Sequence, residues 1–491
     1  MLNNPDANLI NDDIRPTTDA ERHWSVFNMA ALWVGMVVCV PTYTLAGGLV
    51  AEGMSAWQAI FTITLGNAIV LVPMVLNGHP GTKYGIPFPV LARASFGIHG
   101  AHIPSILRAL VACGWFGINT WFGGVSIYHL MNVLTGGLLE GADLPLLGIN
   151  AGEFSCFLLF WTIQVGVVYA GIESIRILET YAAPFLIAMG LALLAWAYVQ
   201  AGGFGETFSR PSDFAVGGPR EGQFFTVFFP SLTAMVGFWA TLSLNIPDFT
   251  RYAKSQRDQL LGQAIGLPLT MTLFAFIAVA VTGSTFTIFG ETIADPTKLL
   301  GRMGEESSGW MSGVTVVISL FVLAVATLST NIAANLVSPA NAFINVKPKR
   351  IGFQLGGYIT AAIGLVILPW KLLENTGDYL FVWLVGYSAL LGPIGGILIV
   401  DYFLLRGTKF DIEALYQARG KYFYSGGFNI IAVLALVLGA APNLPGFLHK
   451  AGVVGDGVFP VFFDSLYTYA WFIGFGIAGA FYGLATKVMK R

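Results

Sequence analysis

The sequence predicts an all-α polytopic membrane protein with twelve transmembrane helices. Only 11% of the 491 residues are charged and 55% are hydrophobic, whereas ordinary soluble domains carry about 25% charged residues. The chain also contains twelve apolar runs of the roughly 17 to 25 residues that a helix needs to cross a bilayer. A soluble fold of this length could not bury so much apolar surface.

The twelve predicted helices divide the chain into four parts. They are centred near residues 38, 67, 120, 162, 189, 236, 276, 325, 362, 391, 433 and 475. Residues 1–25 are predicted to be an N-terminal tail, 26–200 a first five-helix repeat, 201–405 a second five-helix repeat, and 406–491 two further helices with the C-terminus. The tail is polar and mixed in charge, without the basic and apolar regions of a cleaved signal peptide.

The basic residues predict the orientation in the membrane. Of the 25 Lys and Arg residues, nineteen lie in the tails, in the even-numbered loops or at the start of the third helix, and six lie in the odd-numbered loops. Since loops rich in Lys and Arg stay in the cytoplasm, both termini are expected there, in a multi-pass protein of the cell (inner) membrane. The net charge of −2 provides no basic field for nucleic acid.

Two of the predicted helices contain helix-breaking residues at equivalent positions. The first contains Gly35 and Pro41, and the sixth contains Gly237 and Pro247. Proline removes a helical hydrogen bond and glycine allows unwound backbone, so that freed polar groups can face a ligand. Gly and Pro are also simply frequent in membrane helices. The pairing of helices one and six favours an inverted-repeat transporter with a site at mid-membrane.

The third predicted helix carries an aromatic ring and an amide on one face. Trp115 and Asn119 are four residues apart, which places them one above the other on a helix. Such a pair suits a flat heterocycle, because stacking adds about 0.5 to 1.5 kcal/mol beyond area burial and the amide pairs with an imide edge. The alternative for Trp115 alone is a tryptophan that faces lipid or packs between helices.

The eighth predicted helix is interrupted by polar side chains. The apolar run from Phe321 to Pro339 contains Ser329, Thr330, Asn331 and Asn335. An unpaired amide or hydroxyl in hydrocarbon costs about 2 to 7 kcal/mol, so such groups persist where they bind something. The hydroxyls could instead bond to their own helix or to a neighbouring one.

Five sequence blocks, in order over about residues 22 to 440, resemble one transporter family. The blocks are NGHPGTKYGIPFPVLARASFGIHGAHIP, ACGWFGINTW, ATLSLNIPDFTRYAKSQ, LSTNIAANLVSPA and LLGPIGGILIVDYFLLR. They resemble the nucleobase:cation symporter-1 family of hydantoin, allantoin, uracil and purine carriers, and are most similar to its uracil and allantoin branches. The resemblance implies a leucine-transporter-type fold with a 5+5 inverted repeat plus two C-terminal helices.

The resemblance also implies six substrate-binding positions. These are Trp115, Asn119, Phe238, Trp239, Asn335 and Cys39. Trp115 matches the tryptophan that stacks on the substrate ring, and Asn335 matches an amide that binds it. Asn119 and Cys39 stand where the hydantoin carrier has glutamines, so one amide is shorter and one polar contact is lost. The second aromatic wall is Phe238 or Trp239, depending on a one-residue shift in the match.

A sodium site is implied by the same resemblance. It would use the backbone carbonyls of Gly35, Val38 and Ala326 with the hydroxyls of Ser329 and Thr330. A hard cation prefers oxygen ligands, and the three residues of helix eight share a face through their i, i+3, i+4 spacing. Proton coupling stays open because related carriers differ, although the sequence places no Asp or Glu near the middle of a predicted helix, where proton relays use them.

The predicted function is secondary active symport of a nucleobase, with uracil and sodium as the expected substrate and coupling ion. Allantoin, a hydantoin or a purine is the alternative substrate. By the resemblance, the site lies between a bundle of helices 1, 2, 6 and 7 and a scaffold of helices 3, 4, 8 and 9. The expected partners are the small heterocycle and the lipid bilayer, and the sequence makes no prediction of oligomeric state.

A polytopic enzyme would show clustered acids, histidines or cysteines and a channel a continuous polar stripe, and the sequence has neither pattern.

Overall fold

A computed structural model describes residues 5–170, 187–305, 310–373 and 377–489, and within these ranges the chain is helical, with isolated bridges in place of β-strands. The helices that follow the predicted apolar runs are numbered α1 to α12. They are α1 (Val26–Val37 and Val40–Ala51), α2 (Ala56–Tyr84), α3 (His102–Thr135), α4 (Ala151–Ala170), α5 (Ile187–Gln200), α6 (Phe224–Phe238, Ala240–Asn245 and Pro247–Thr250), α7 (Gln256–Phe289), α8 (Trp310–Asn335 and Val337–Val346), α9 (Phe353–Val366), α10 (Asp378–Leu405), α11 (Ile430–Lys450) and α12 (Ala470–Met489).

Length and composition support membrane crossing for most of these helices. In the described ranges, eight helices are long and apolar enough to span a membrane, and the bent α1 makes a ninth. The three shorter apolar helices are α5, the first segment of α6, and α9. The predicted fifth helix, centred near residue 189, is described only from Ile187 onward, and its earlier part lies outside the described residues.

Helix α1 is broken where the sequence predicts an interruption. Its two halves meet at an angle of 61°. Val38 leaves helical geometry with ψ of 80°, and Cys39 is extended, with φ of −146° and ψ of 163°. Pro41 then occupies the first turn of the second half, where its missing N–H costs no helical hydrogen bond. Gly35 lies inside the first half.

Helix α6 is also interrupted. Its first segment ends at Phe238, and Trp239, with φ of −100° and ψ of 4°, separates it from the next segment. Gly237 is therefore the second-to-last residue before the break. Pro247 begins the last short segment, so both predicted interruptions of this helix fall at segment ends.

The helices pack in two groups of four that match the expected bundle and scaffold. In the bundle, α7 packs against α1 and α2, and α2 packs against α6. Gly262 and Gly266 of α7 permit this contact, since a Cβ on them would lie 2.3 Å from the Cβ of Met29 and 2.8 Å from that of Trp33. In the scaffold, α3 packs against α4, α8 and α9.

Helix α10 packs against α11 and α12 and also reaches α3 and α6. Near its end, the buried carboxylate of Asp401 lies 2.7 Å from Nε of Arg406 and accepts hydrogen bonds from Ser95 and Tyr482, each at 2.9 Å. A buried charge needs such a set of partners to offset its desolvation.

Replacing Gly117 with alanine is expected to destabilise the contact between α3 and α9. A Cβ on Gly117 would lie 2.7 Å from the carbonyl oxygen of Gly364, and backbone cannot move aside at low cost. We expect overpacking to cost about 1 to 3 kcal/mol, seen as a lower thermal unfolding temperature of the purified protein in detergent.

The matched control is Gly166→Ala in α4, where a Cβ would meet no described atom within 4 Å. Both substitutions carry the same gain in helix propensity of about 1 kcal/mol, so the difference between them isolates the packing effect. Equal unfolding temperatures of the two variants would contradict the close approach of α3 and α9.

Candidate functional site

Trp115 of α3 lies at the centre of a buried aromatic cluster. Its ring meets Phe238 of α6 edge to face, with centroids 5.2 Å apart and an interplanar angle of 79°. From α10, the rings of Tyr379, Trp383 and Tyr387 lie 6.2, 6.1 and 6.4 Å from it. The scaffold, the bundle and α10 therefore meet at this ring, which is only 5% exposed.

Phe238, and not Trp239, is the α6 residue that contacts Trp115 among the ring contacts of the described residues. Trp239 lies at the break itself and packs edge to face on Trp33 of α1, with centroids 5.2 Å apart. A flat ligand between Trp115 and Phe238 would need about 7 Å, or two van der Waals contacts of about 3.5 Å each. These two rings must therefore separate before a ligand can stack between them.

Two tyrosines of α10 hydrogen-bond to the broken helices. The hydroxyl of Tyr387 donates to the carbonyl of Gly237 at 2.8 Å, directly before the break in α6. The hydroxyl of Tyr379 donates to the carbonyl of Pro41 at 3.3 Å, in the first turn after the break in α1. Tyr379, Trp383 and Tyr387 were not predicted from the sequence. Their regular spacing of four residues, which places them on one helix face, was the available signal.

Asn119 lies on the same face of α3 as Trp115, as the spacing predicts. It is 3% exposed, and its Nδ2 donates to the carbonyl of Trp115 at 3.1 Å. Its Oδ1 is buried, and no described residue donates a hydrogen bond to it. A buried, unpaired carbonyl oxygen is costly, so this atom has unused capacity to bind a donor.

Asn335 is connected to a buried amide network that links α3, α4 and α8. Its Nδ2 donates to Oδ1 of Asn331 at 3.0 Å. In turn, Nδ2 of Asn331 lies 2.6 Å from Oε1 of Gln164, 2.9 Å from the carbonyl of Phe116 and 3.3 Å from the hydroxyl of Thr120. Gln164 was missed by the sequence analysis, which noted Asn331 only as a polar interruption of α8.

Cys39, the sixth predicted substrate residue, lies in the break of α1. Its Sγ is 3.2 Å from the hydroxyl of Thr42, and the side chain is buried. The thiol thus contacts the first turn of the second half of its own helix.

The predicted sodium ligands come from one face of α8 and from the break in α1, and these two helices are in contact. Ala326, Ser329 and Thr330 are all buried. In α1, the N–H of Cys39 bonds to the carbonyl of Val37 at 2.9 Å, so the carbonyl of Gly35 lacks the donor four residues on that a continuous helix would supply. Val38, the remaining predicted ligand, lies at the break. The donor set is therefore composed of neutral oxygens, which suits a hard monovalent cation.

Comparison with known proteins identifies a family of permeases. The family described as permease for cytosine/purines, uracil, thiamine and allantoin matches residues 16–474. A purine-uracil permease of Arabidopsis thaliana is 50% identical over 493 aligned residues, covering 99% of this chain and 79% of the relative. An allantoin permease of Bacillus subtilis is 39% identical, covering 98% and 94%.

A solved structure of similar fold is that of a nucleobase-cation-symport-1 family transporter in a closed conformation with bromovinylhydantoin bound. The two folds superpose with a TM-score of 0.75 at 26% identity, covering 98% of this chain and 96% of the other. This chain belongs to the same family. It is a membrane permease of nucleobase-like heterocycles and not an enzyme. The predicted all-α polytopic fold is confirmed, and the helices agree with the leucine-transporter-type 5+5 arrangement.

Proposed function

We propose that this permease is a secondary active symporter that imports uracil together with sodium by alternating access, with both termini in the cytoplasm. The proposal depends on one observation above all. Two amides, the buried Asn119 and the partly buried Asn335, belong to the packed pair α3 and α8, and Asn119 shares a helix face with Trp115, beside the breaks of α1 and α6. An aromatic plane next to amide groups is the chemistry that recognises a flat ring with a polar edge.

Uracil fits this arrangement by shape and by hydrogen bonding. Its planar ring could stack against Trp115 and Phe238 once these rings separate, and its polar ring groups could pair with the two amides. The relative of 50% identity is named a purine-uracil permease, which favours a nucleobase. Allantoin is the second candidate, because the relative of 39% identity is named an allantoin permease. Its ureido arm would need the room that the short side chain of Asn119 leaves.

Sodium is proposed as the coupling ion because the candidate ligands are neutral oxygens at a helix break. Ser329, Thr330 and the carbonyl of Ala326 would hold it from α8, and the carbonyls of Gly35 and Val38 from α1. Because these ligands are neutral, they do not cancel the positive charge of the ion, and this charge can stabilise the state in which ion and substrate are both bound.

Coupling between the ion and the substrate follows from the short distance between the proposed sodium ligands and the proposed substrate amide of α8. Asn335 lies about a turn and a half from Ser329 and Thr330 along α8. The ion would also order the break of α1. This break is connected to the aromatic cluster, because the carbonyl of Pro41 accepts a hydrogen bond from the hydroxyl of Tyr379. If the ion and the heterocycle stabilise the same arrangement of this break, each raises the affinity for the other by the same factor.

Uptake into proteoliposomes tests the proposal. With an inward sodium gradient, we expect labelled uracil to accumulate above its equilibrium level, and an outward gradient or a sodium ionophore to abolish the accumulation. Unlabelled allantoin, hydantoins and purines compete in the same assay and rank the substrates. Failure to concentrate any of these heterocycles would overturn the transport mechanism, and accumulation that follows only a proton gradient would overturn sodium coupling.

Truncation of the proposed substrate contacts should remove binding while the protein still folds. We expect Trp115→Ala and Asn335→Ala each to raise the Kd for uracil by more than about tenfold, since a lost stack and an unpaired ligand group each cost on the order of 1 kcal/mol or more. The measurement is equilibrium binding of labelled uracil to purified protein. Trp57→Ala, at a tryptophan that is 60% exposed, is the control, and wild-type affinity in either site variant would refute the assignment.

Removing one proposed sodium ligand should change the response to sodium more than the response to substrate. For Thr330→Ala we expect the sodium concentration at half-maximal uptake to rise about tenfold, which corresponds to roughly 1.4 kcal/mol. Thr162→Ala is the matched control, because the hydroxyl of Thr162 donates to the carbonyl of Leu158 in its own helix, on an exposed face of α4. An unchanged sodium response in Thr330→Ala would point to proton coupling.

A further inference from the structure

The orientation of Asn331 is fixed by a backbone carbonyl. Amide nitrogen and oxygen atoms are interchangeable by rotation, so their positions follow from their partners. The carbonyl of Phe116 can only accept a hydrogen bond, and it lies 2.9 Å from Nδ2 of Asn331. The opposite orientation would place two acceptors in contact. Gln164 supports the same orientation, since its Oε1 accepts from Asn331 and its Nε2 donates to Thr120 at 2.8 Å.

Thr120 completes the network without ambiguity. Its hydroxyl donates to the carbonyl of Phe116 at 2.6 Å, so its oxygen is left as an acceptor for Gln164 and Asn331. Thr120, Gln164 and Asn331 are each fully or almost fully buried. In such a low-dielectric network every partner is needed, because an unpaired polar group is costly. The Oδ1 atom of Asn331 is therefore held on the side that faces Asn335.

The orientation of Asn331 in turn sets the orientation of Asn335. Its Nδ2 donates to Oδ1 of Asn331, so its own Oδ1 occupies the other branch of the amide and leads away from the network. Asn119 is oriented in the same way, because its Nδ2 donates to the carbonyl of Trp115, which also can only accept. Its Oδ1 is the buried atom to which no part of the described chain donates. Both candidate substrate amides thus offer a carbonyl oxygen.

We propose that the buried network of Gln164, Thr120 and Asn331 holds Asn335 so that the site presents two acceptors, and that the chain therefore selects heterocycles with two ring N–H donors. This inference rests on the proposed binding site and specifies its ligand class as cyclic ureides in the keto form. A ring that brings a lone pair or a methyl group to either oxygen leaves that oxygen buried and unpaired. Gln164 acts as a positioning residue, since it orders Asn335 through Asn331.

Methylated uracils test the acceptor pattern on the wild-type protein. Uracil has two ring N–H groups, 1-methyluracil and 3-methyluracil each lack one of them, and 6-methyluracil keeps both while carrying the same added methyl group. We expect each N-methyl compound to bind at least about tenfold more weakly than 6-methyluracil, because a site built to accept from an N–H strongly rejects an analogue that lacks it. The measurement is competition with labelled uracil in equilibrium binding.

The outcomes separate this inference from the proposed function. If no heterocycle binds, the proposed function fails. If uracil binds and the N-methyl compounds bind within about threefold of 6-methyluracil, the acceptor pattern is wrong although the binding site stands. If a hydantoin binds in place of uracil, the same comparison is made with 1-methyl-, 3-methyl- and 5-methylhydantoin, with the same criterion.

A variant of the network tests the positioning role. Gln164→Leu removes the shortest hydrogen bond of Asn331 and leaves its Nδ2 with the carbonyl of Phe116 and the hydroxyl of Thr120, so that Asn331, and with it Asn335, is held less firmly in one orientation. We expect the N-methyl discrimination to fall to less than about threefold, since a rotated amide presents a donor in place of an acceptor. Gln263→Leu, at a buried glutamine of α7 that donates to Gln259, is the control and should keep the discrimination. A uniform loss of affinity for all compounds in Gln164→Leu, with the discrimination unchanged, would reduce Gln164 to a structural residue.

Discussion

Backbone polar groups in the hydrocarbon core must all find partners within the protein, and the architecture around the site follows from this constraint. Helices α1 and α6 are broken, so each has carbonyls or amides that a continuous helix would satisfy. Helix α10 contacts both breaks, since the hydroxyls of Tyr387 and Tyr379 donate to the carbonyls of Gly237 and Pro41. It also lies against α3 and α6, and its aromatic rings surround Trp115.

The scaffold contributes a rigid, oriented set of polar groups. Helix α3 can approach α9 closely because Gly117 and Gly364 meet without side chains. It is held to α4 and α8 by the amides of Gln164 and Asn331. A fully satisfied polar network in an apolar interior fixes one arrangement of its members. The polar edge of the candidate site thus belongs to the scaffold, whereas Phe238, whose ring contacts Trp115, comes from the bundle.

The sequence predicted the features that depend on local pattern. The shared face of Trp115 and Asn119 follows from helical spacing, and the break of α1 follows from Pro41 after apolar helix. Contacts between residues that are distant in the sequence could not be predicted in the same way. Gln164 is a single amide in an apolar helix, and its partner Asn331 is distant in the chain. Only the packed structure brings them together.

The choice between Phe238 and Trp239 shows the same limit. A continuous helix would turn the two side chains about 100° apart, but either could face Trp115, depending on the rotation of α6. Because the helix is broken at Trp239, the ring of Trp239 packs on Trp33 of α1, and the ring of Phe238 packs on Trp115. The three α10 aromatics were equally hard to predict, because aromatic residues at helical spacing are common in membrane helices and their contacts here are non-local.

In the proposed mechanism, the contact between Trp115 and Phe238 would couple ligand binding to helix movement. Trp115 belongs to the scaffold and Phe238 to the bundle, and their edge-to-face contact leaves no room for a stacked ring. A ligand that stacks between them must therefore favour arrangements in which bundle and scaffold are displaced relative to each other. A ligand shifts such an equilibrium only by its difference in affinity for the two arrangements. In the proposed mechanism that difference would arise at the rings themselves, and the amides of Asn119 and Asn335, both on scaffold helices, would supply binding energy in both arrangements.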